Sequence, residues 1–292
     1  MASTRVLVKR RKAIRNIRKI TRTMELIATS RFKRAMTRAS QAEAYTRKIA
    51  ELAADLSATA GSVSHPLLQK RETIKTSILL VLCSNRGLCG GYNAGILREG
   101  TAAYRQMQRE GVKVWWELSG KRAINYFKYH GVKPDRAYTQ FEDRPRFDEV
   151  EPIADRYLQA FIRGEVDRVQ VAYQKFINAA VQRPVVETLL PLETVAPMTR
   201  QAVAAERVEY EFMPDAQNIL QELLPVSFKV RLFKCFLDAA VSEQIARRVT
   251  MKQATENADD MIKTISRAYN RVRQASITKE ILEVVGGAEA LK

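Results

Sequence analysis

The residues Ser84-Asn-Arg-Gly-Leu-Cys-Gly-Gly-Tyr-Asn93 join an apolar run to a helical pattern through a glycine-rich turn. Strand, glycine-rich turn and helix N-terminus are the parts from which α/β folds build a phosphate cradle. The spacing of Gly87, Gly90 and Gly91 fits neither GxGxxG nor GxxxxGK followed by Ser or Thr. No acidic residue follows where a ribose would be read. The stretch therefore reads as a tight structural turn or a contact loop for another subunit, with nucleotide binding as the lesser alternative.

Other chemistry finds few residues. His65 and His130 lack metal-ligand spacing, from each other and from Cys83 and Cys89. The three cysteines, Cys83, Cys89 and Cys235, form no CxxC pair and read as reduced thiols. Asp259-Asp260 and Glu142-Asp143 read as solvated faces, since spacing alone implies no acid–base pairing. The sequence points to no catalytic residue, no cofactor and no metal. Its longest apolar run, Ile78–Cys83, suits a buried strand and is far too short to span a membrane. The N-terminus has no apolar stretch of a secretory signal.

The distribution of chain breakers shows what must position these residues. All nine prolines lie between Pro66 and Pro225, and no glycine precedes Gly61 or falls between Pro225 and Gly286. Two terminal stretches of about 60 residues therefore lack both breakers, which predicts unusually long helices. Ile17, Ile20, Met24 and Ile27 follow a 3-4 spacing, as do Ala42, Tyr45, Ile49, Leu52 and Leu56. Ala258, Ile262, Ile265, Tyr269, Val272 and Ser276 repeat it near the C-terminus. That alternation is the seam of a left-handed coiled coil, here of two antiparallel helices leaving one domain. At 1.5 Å per residue each would be a rod of roughly 90 Å.

The net charge of +17 is concentrated at the N-terminal end. Residues 1–48 carry 15 basic side chains against Glu25 and Glu43, residues 226–292 carry 12 against eight, and the middle is neutral. Around Arg10–Lys12 and Arg31–Arg34 the basic residues crowd the seam, marking faces for an acidic partner. A nucleic-acid arm is the alternative, but aromatics for stacking are sparse, with only Phe32 and Tyr45 before residue 65.

The middle reads as alternating strands and helices: strands at Thr76–Cys83, Val112–Leu118, Arg168–Gln174 and Val185–Leu190, and helices at Asn93–Arg109, Lys121–Tyr129 and Asp148–Ile162. That order predicts a mostly parallel sheet covered by helices, with Pro134, Pro145, Pro152, Pro191 and Pro197 in connections. The fold class is thus α/β with long helical extensions. Its parts are residues 1–60, an α/β domain over 61–225, and 226–292.

Three ordered motifs carry a resemblance. Ile20-Thr-Arg-Thr-Met-Glu-Leu-Ile-Ala28, the Ser84–Asn93 turn and the blocks Ser242–Lys263 and Tyr269–Ala288 are similar to the gamma subunits of F-type ATP synthases. The resemblance implies a central rotor shaft. Its coiled coil enters a ring of alternating alpha and beta subunits, and its Rossmann-like domain meets the epsilon subunit and the c-ring. It implies one copy per complex, no nucleic acid, no catalytic residue and a peripheral place at the cytoplasmic face of a bacterial inner membrane. Arg22 and Met24 match the position facing the acidic lever segment of beta. Arg273, Gln274, Thr278 and Glu280 match the block meeting the catch loop of the ring, and Val284–Leu291 the tip in the apolar bearing. Three departures stand out. Asn85 replaces a common acid, Arg248 replaces a common apolar residue in the expected seam, and Glu193–Phe212 carries no cysteine pair.

Overall fold

A computed structural model describes residues 4–59, 65–141, 144–192 and 216–289. Glu142-Asp143 and Glu193–Phe212 lie outside these residues. The elements are α1 (Thr4–Thr59), β1 (Thr76–Leu82), α2 (Tyr92–Arg109), β2 (Lys113–Ser119), α3 (Lys121–Tyr129), β3 (Arg136–Tyr138), α4 (Phe147–Ile162), β4 (Arg168–Phe176), β5 (Gln182–Leu190) and α5 (Ala216–Glu289). The residues fall into two compact units, Ser30–Ala246 and Met1–Thr29 with Arg247–Lys292.

The larger unit is built on a five-stranded sheet of order β3-β2-β1-β4-β5. β1 pairs in parallel with β2 and β4, β2 in parallel with β3, and β4 antiparallel with β5. Residues 77–82 of β1 are buried, as a continuous Ile/Leu/Val run requires of a strand covered on both faces. Leu79 and Val81 pack with α2 and α3, while Ile78, Leu80 and Leu82 pack with α4 and with Leu224–Ala239 of α5. The expected α/β sheet is present, with one strand added and one reversed. β3 is only three residues long, and β5 reverses direction at a turn where Asn178 Oδ1 accepts from the N–H groups of Ala180 and Val181, each at 2.9 Å.

Two proline placements differ from expectation. Pro152 lies inside α4, not in a connection. Pro225 lies inside α5, which begins at Ala216, upstream of the last proline. Each lies within about ten residues of its helix start, where a missing N–H disturbs less packed helix than it would deeper in.

Two buried charges fix the sheet. Glu117 on β2 is 1% exposed. Its Oε2 accepts from Tyr138 OH at 2.8 Å, Arg156 Nη2 at 2.7 Å and Tyr157 OH at 2.7 Å. Burial and then Glu117 push both phenols above their ordinary range. Burial opposes the charge on Arg156, but the bond and charge of Glu117 outweigh it and hold the guanidinium up.

Asp167 precedes β4. Its Oδ2 accepts from the N–H of Lys75 at 2.7 Å and of Thr76 at 2.9 Å, while Arg71 Nη1 lies 2.6 Å from Oδ1. Burial works against this carboxylate, yet the two N–H groups and Arg71 outweigh it and hold its pKa below the ordinary value. A depressed carboxylate contributes stability that is fully present above its unfolded pKa of about 3.9 and is lost as pH falls through the folded value. Asp167→Asn should therefore cost about 1–3 kcal/mol at pH 7. The gap between the two urea midpoints should shrink as the pH is taken below 4.

In the smaller unit the two helices run antiparallel. Arg11 covers the Tyr269 ring at 5.1 Å, Arg18 Nε meets Asp259 Oδ1 at 2.6 Å, and Thr255 Oγ1 donates to Thr21 Oγ1 at 2.9 Å. Ile14 packs with Ala258 and Ile265, flanked by Leu7 and Ile262. The C-terminal stripe through Ala258, Ile262 and Ile265 is the expected one. The N-terminal stripe is not. Ile17, Ile20 and Ile27 are 52%, 56% and 46% exposed, and the inward residues are Ile14, Thr21 and Ala28. Within the larger unit the helix contact uses Ala35 and Ala39 against Leu237, Val241 and Ile245; of the second expected stripe Ala42 packs beside them and Ile49 is buried, while Tyr45 points outward. Arg248 is exposed and outside the seam. Asp259 is not a merely solvated acid, because Arg18 pairs with it.

Candidate functional site

The glycine-rich turn is a closed hydrogen-bonded knot. Gly91 caps α2 without a side-chain bond, and Gly90 takes a positive φ of 56°. The Asn93 side chain fills the turn: its Oδ1 accepts from the Ser84 N–H at 2.9 Å, and its Nδ2 donates to Ser84 Oγ at 2.8 Å and Cys89 Sγ at 3.2 Å. Ser84 Oγ donates to the Arg86 carbonyl at 2.7 Å. A phosphate cradle needs an open cluster of N–H groups, and here an amide side chain occupies the middle.

Asn85 anchors the knot to two further elements. Its Nδ2 donates to the carbonyls of Thr139 at 3.0 Å and Phe141 at 2.8 Å, and its Oδ1 accepts from the Lys121 N–H at 3.0 Å. A carboxylate has no proton to donate to those carbonyls, so the amide at this position is structural. Tyr92 OH donates to the Ala239 carbonyl of α5 at 3.1 Å, joining the turn to the long helix. At its tip Leu88 has a positive φ of 66° and is 57% exposed. The turn thus holds a strained, exposed apolar side chain at the tip of a hydrogen-bonded loop.

The remaining titratable groups have structural roles. His65 Nδ1 accepts from the Leu67 N–H at 3.1 Å at the start of a single 3-10 turn, and burial lowers its pKa. His130 closes α3, with Nδ1 2.8 Å from the Tyr126 carbonyl. Burial, then Cys89 and Glu243, push the Cys83 thiol up. Burial first, then Glu187, brings Cys235 up to about 12. No group of three or more His, Cys, Asp or Glu converges among the described residues.

The six residues singled out from the sequence lie on the helices of the smaller unit. Arg22 is exposed and its Nη1 donates to Glu25 Oε2 at 2.9 Å. Met24, half-buried, stands beside it. Thr278 Oγ1 donates to the Gln274 carbonyl at 3.0 Å, Ser276 Oγ donates to Glu280 Oε1 at 3.2 Å, and Arg273 is exposed. These hydrogen bonds run along each residue's own helix. From Arg273 to Ala288 every side chain is exposed, including Ile277, Ile281, Leu282, Val284 and Val285, the last two at 72% and 54%. An exposed apolar run of that length is uncommon on a monomer and marks a contact surface. Residue order alone did not reveal the partners of Glu117 or the stapling by Asn85.

Comparison with known proteins gives the family. The family profile described as ATP synthase matches residues 3–291. A protein of Rhodopirellula baltica called ATP synthase gamma chain is 52% identical over 295 residues, covering all of both chains. The same-named protein of Leptospira biflexa is 39% identical over 291 residues, again covering all of both. Among solved structures, the fold is shared with chains of the Euglena gracilis mitochondrial ATP synthase. A chain of its rotor has a TM-score of 0.60 at 17% identity, covering 94% of this chain and 98% of that one. A chain from its OSCP/F1/c-ring structure has a TM-score of 0.63 at 16% identity, covering 99% and 94%. No described helix is long and apolar enough to cross a membrane. Matched from end to end by relatives well above chance identity, the chain belongs to the ATP synthase gamma chain family.

Proposed function

We propose that the chain is the central-stalk rotor of a proton-translocating ATP synthase, coupling c-ring rotation to conformational change at the catalytic sites of the beta subunits. The observation that carries this reading is the full-length identity with gamma chains. Residues 1–60 and 226–292 act as the shaft and residues 61–225 as its foot. The partners are the alpha and beta ring around the shaft and the epsilon subunit and c-ring at the foot, with one gamma per complex. The chain is peripheral, at the cytoplasmic face of a bacterial inner membrane, and brings no catalytic residue of its own. A nucleic-acid role for the basic N-terminus finds no support in the comparisons.

The mechanism is a coupling of free energies. Rotation can change nucleotide affinity at a beta site only if the shaft binds the conformations of beta differently. An antiparallel pair whose outer faces differ around its circumference meets that need. Arg22 and Met24 face the acidic lever of beta, Arg273, Gln274, Thr278 and Glu280 meet the catch loop, and the Val284–Leu291 tip turns in the apolar bearing. The exposure of 273–288 and the outward Arg22 support these assignments. Attraction between a basic face and acidic segments also holds the shaft without fixing one angular register.

Met24→Lys tests the assignment. In the assembled complex it should reduce ATP synthesis driven by a proton gradient about tenfold, equivalent to about 1.4 kcal/mol lost from the coupling. Subunit stoichiometry should be unchanged. Normal coupling in that variant would remove Met24 from the rotor–stator contact.

A further inference from the structure

The seam of the smaller unit repeats every seven residues. On α1 its buried residues are Ile14, Thr21 and Ala28, and on α5 they are Met251, Ala258 and Ile265, with Thr255 between the first two. Such a seam presents the same spacing again after one helix slides by seven residues, about 10 Å along the axis. Ala28 and Ala258 are small knobs that fill shallow holes and resist sliding little. The apolar part of the seam therefore holds the helices together without fixing their register.

Two polar contacts distinguish one register from the next. Thr21 and Thr255, each 8% exposed, bring their hydroxyls within 2.9 Å of each other, and Arg18 Nε meets Asp259 Oδ1 at 2.6 Å. Sliding by seven residues would set Thr21 against Ile262 or Arg248, and Arg18 against Ser266 or Lys252. Both members of the Arg18–Asp259 pair reach water, which screens their attraction. The buried threonines thus carry most of the discrimination. Each hydroxyl also has a carbonyl of its own helix in range, Arg18 at 3.1 Å from Thr21 and Met251 at 2.8 Å from Thr255. Two protons can serve these three positions in two ways. Either Thr255 donates to Thr21 and Thr21 to the Arg18 carbonyl, or Thr21 donates to Thr255 and Thr255 to the Met251 carbonyl. The bond between the helices is present in both, and no hydroxyl proton is left unused.

We propose that Thr21 and Thr255 are positioning residues of the shaft. Their shared hydrogen bond fixes the axial register of α1 on α5, and with it the placement of Arg22 and Met24 on one helix relative to Arg273–Glu280 on the other. A polar pair inside an apolar seam is the means by which coiled coils specify register at some cost in stability. The consequence for coupling rests on the rotor reading above; the register itself does not.

Thr21→Val combined with Thr255→Val keeps the shape of both side chains and removes the hydrogen bond, whereas Thr255→Ser keeps the hydroxyl and removes a methyl group. Replacing both partners by apolar groups of the same shape should leave the thermal midpoint of the full-length chain at or above the parent's. Nitroxides on cysteines introduced at the exposed positions 16 and 253 report the register by pulsed electron paramagnetic resonance. These positions are offset along the axis, so sliding in either direction changes their separation. The parent and Thr255→Ser should each show one narrow separation. The double valine variant should add a component displaced by at least one helical turn, about 5 Å. In the assembled complex it should lower proton-driven ATP synthesis about threefold at unchanged subunit stoichiometry, while Thr255→Ser couples as the parent does.

A single parental separation in the double valine variant would overturn the proposal. So would a Thr255→Ser variant that behaves like the valines, because packing and not the hydroxyls would then set the register. A second separation accompanied by parental coupling would overturn the positioning role. Normal coupling in Met24→Lys bears instead on the rotor–stator contact and leaves the register result standing, so the two readings fail separately.

Discussion

Glu117→Ala should lower the stability of the α/β unit by about 3–5 kcal/mol, because it removes one partner of a buried ion pair and leaves the other behind. Three donors converge on one oxygen of this carboxylate, from Tyr138, Arg156 and Tyr157. Without it, the Arg156 side chain, 24% exposed, keeps its charge and loses its counter-ion. Tyr157, fully buried, keeps a hydroxyl that has no water to turn to. Glu117→Gln preserves volume and an acceptor and should cost about half as much. Exchanging Glu117 and Arg156 together for leucine should recover most of the loss, since apolar replacements of a whole buried pair are often neutral. The two tryptophans of the chain are Trp115 and Trp116, the residues before Glu117, so fluorescence during urea unfolding reads the affected strand. A Glu117→Ala midpoint within about 0.5 kcal/mol of the parent would show that the cluster is not a keystone of the sheet.

Gly120→Ala should be nearly as damaging, at about 3 kcal/mol or more. Gly120 has φ 95° and ψ 136°, a region that side chains avoid. A Cβ there would collide with the backbone of Cys83, whose carbonyl cannot swing away. The Cys83 N–H donates to the Ser119 carbonyl at 2.9 Å, and the Arg122 N–H to the Ser84 carbonyl at 3.1 Å. The clash is therefore passed directly into the Ser84–Asn93 turn. Gly131→Ala is the control: φ is also positive, at 72°, but nothing lies within 4 Å of the new atom, so only about 1–2 kcal/mol of backbone strain remains. Equal midpoints for the two variants would mean that strain alone, and not the collision, sets the cost at Gly120.

Much of this architecture was legible in residue order. The Ile78–Leu82 run could hardly be anything but a central strand, and the glycines at 111, 131 and 164 mark helix ends with positive φ values. The C-terminal seam followed from spacing alone. The N-terminal seam did not, because α1 carries aliphatic residues on several faces and the partner helix decides which face is covered. Opposite Ala258 and Thr255 there is room for Ile14 and Thr21, and the exposed Ile17, Ile20 and Leu26 are left to other surfaces. β3 escaped notice because three residues, Arg136-Ala-Tyr138, have no pattern of their own and become a strand only by pairing with Glu117–Ser119. Glu117 did leave a trace: a lone acid in Trp115-Trp-Glu-Leu118, within a strand due to be covered on both sides, calls for an internal cation. The identity of that cation, 39 residues further on, depends on tertiary structure. The Asn85 contacts likewise join segments 54 and 56 residues apart.

The three cysteines, described above only as packing and titrating groups, bear on how the motion of this chain can be followed. Only a thiolate alkylates readily, and burial holds Cys83 and Cys235 in the neutral form while Cys89 is enclosed in the turn. Against maleimide at neutral pH the native chain should thus be almost inert. A single cysteine introduced on the exposed face of α5 would be the one fast-reacting handle, so a fluorophore or bead can be fixed to the shaft without first stripping out residues that hold the fold together.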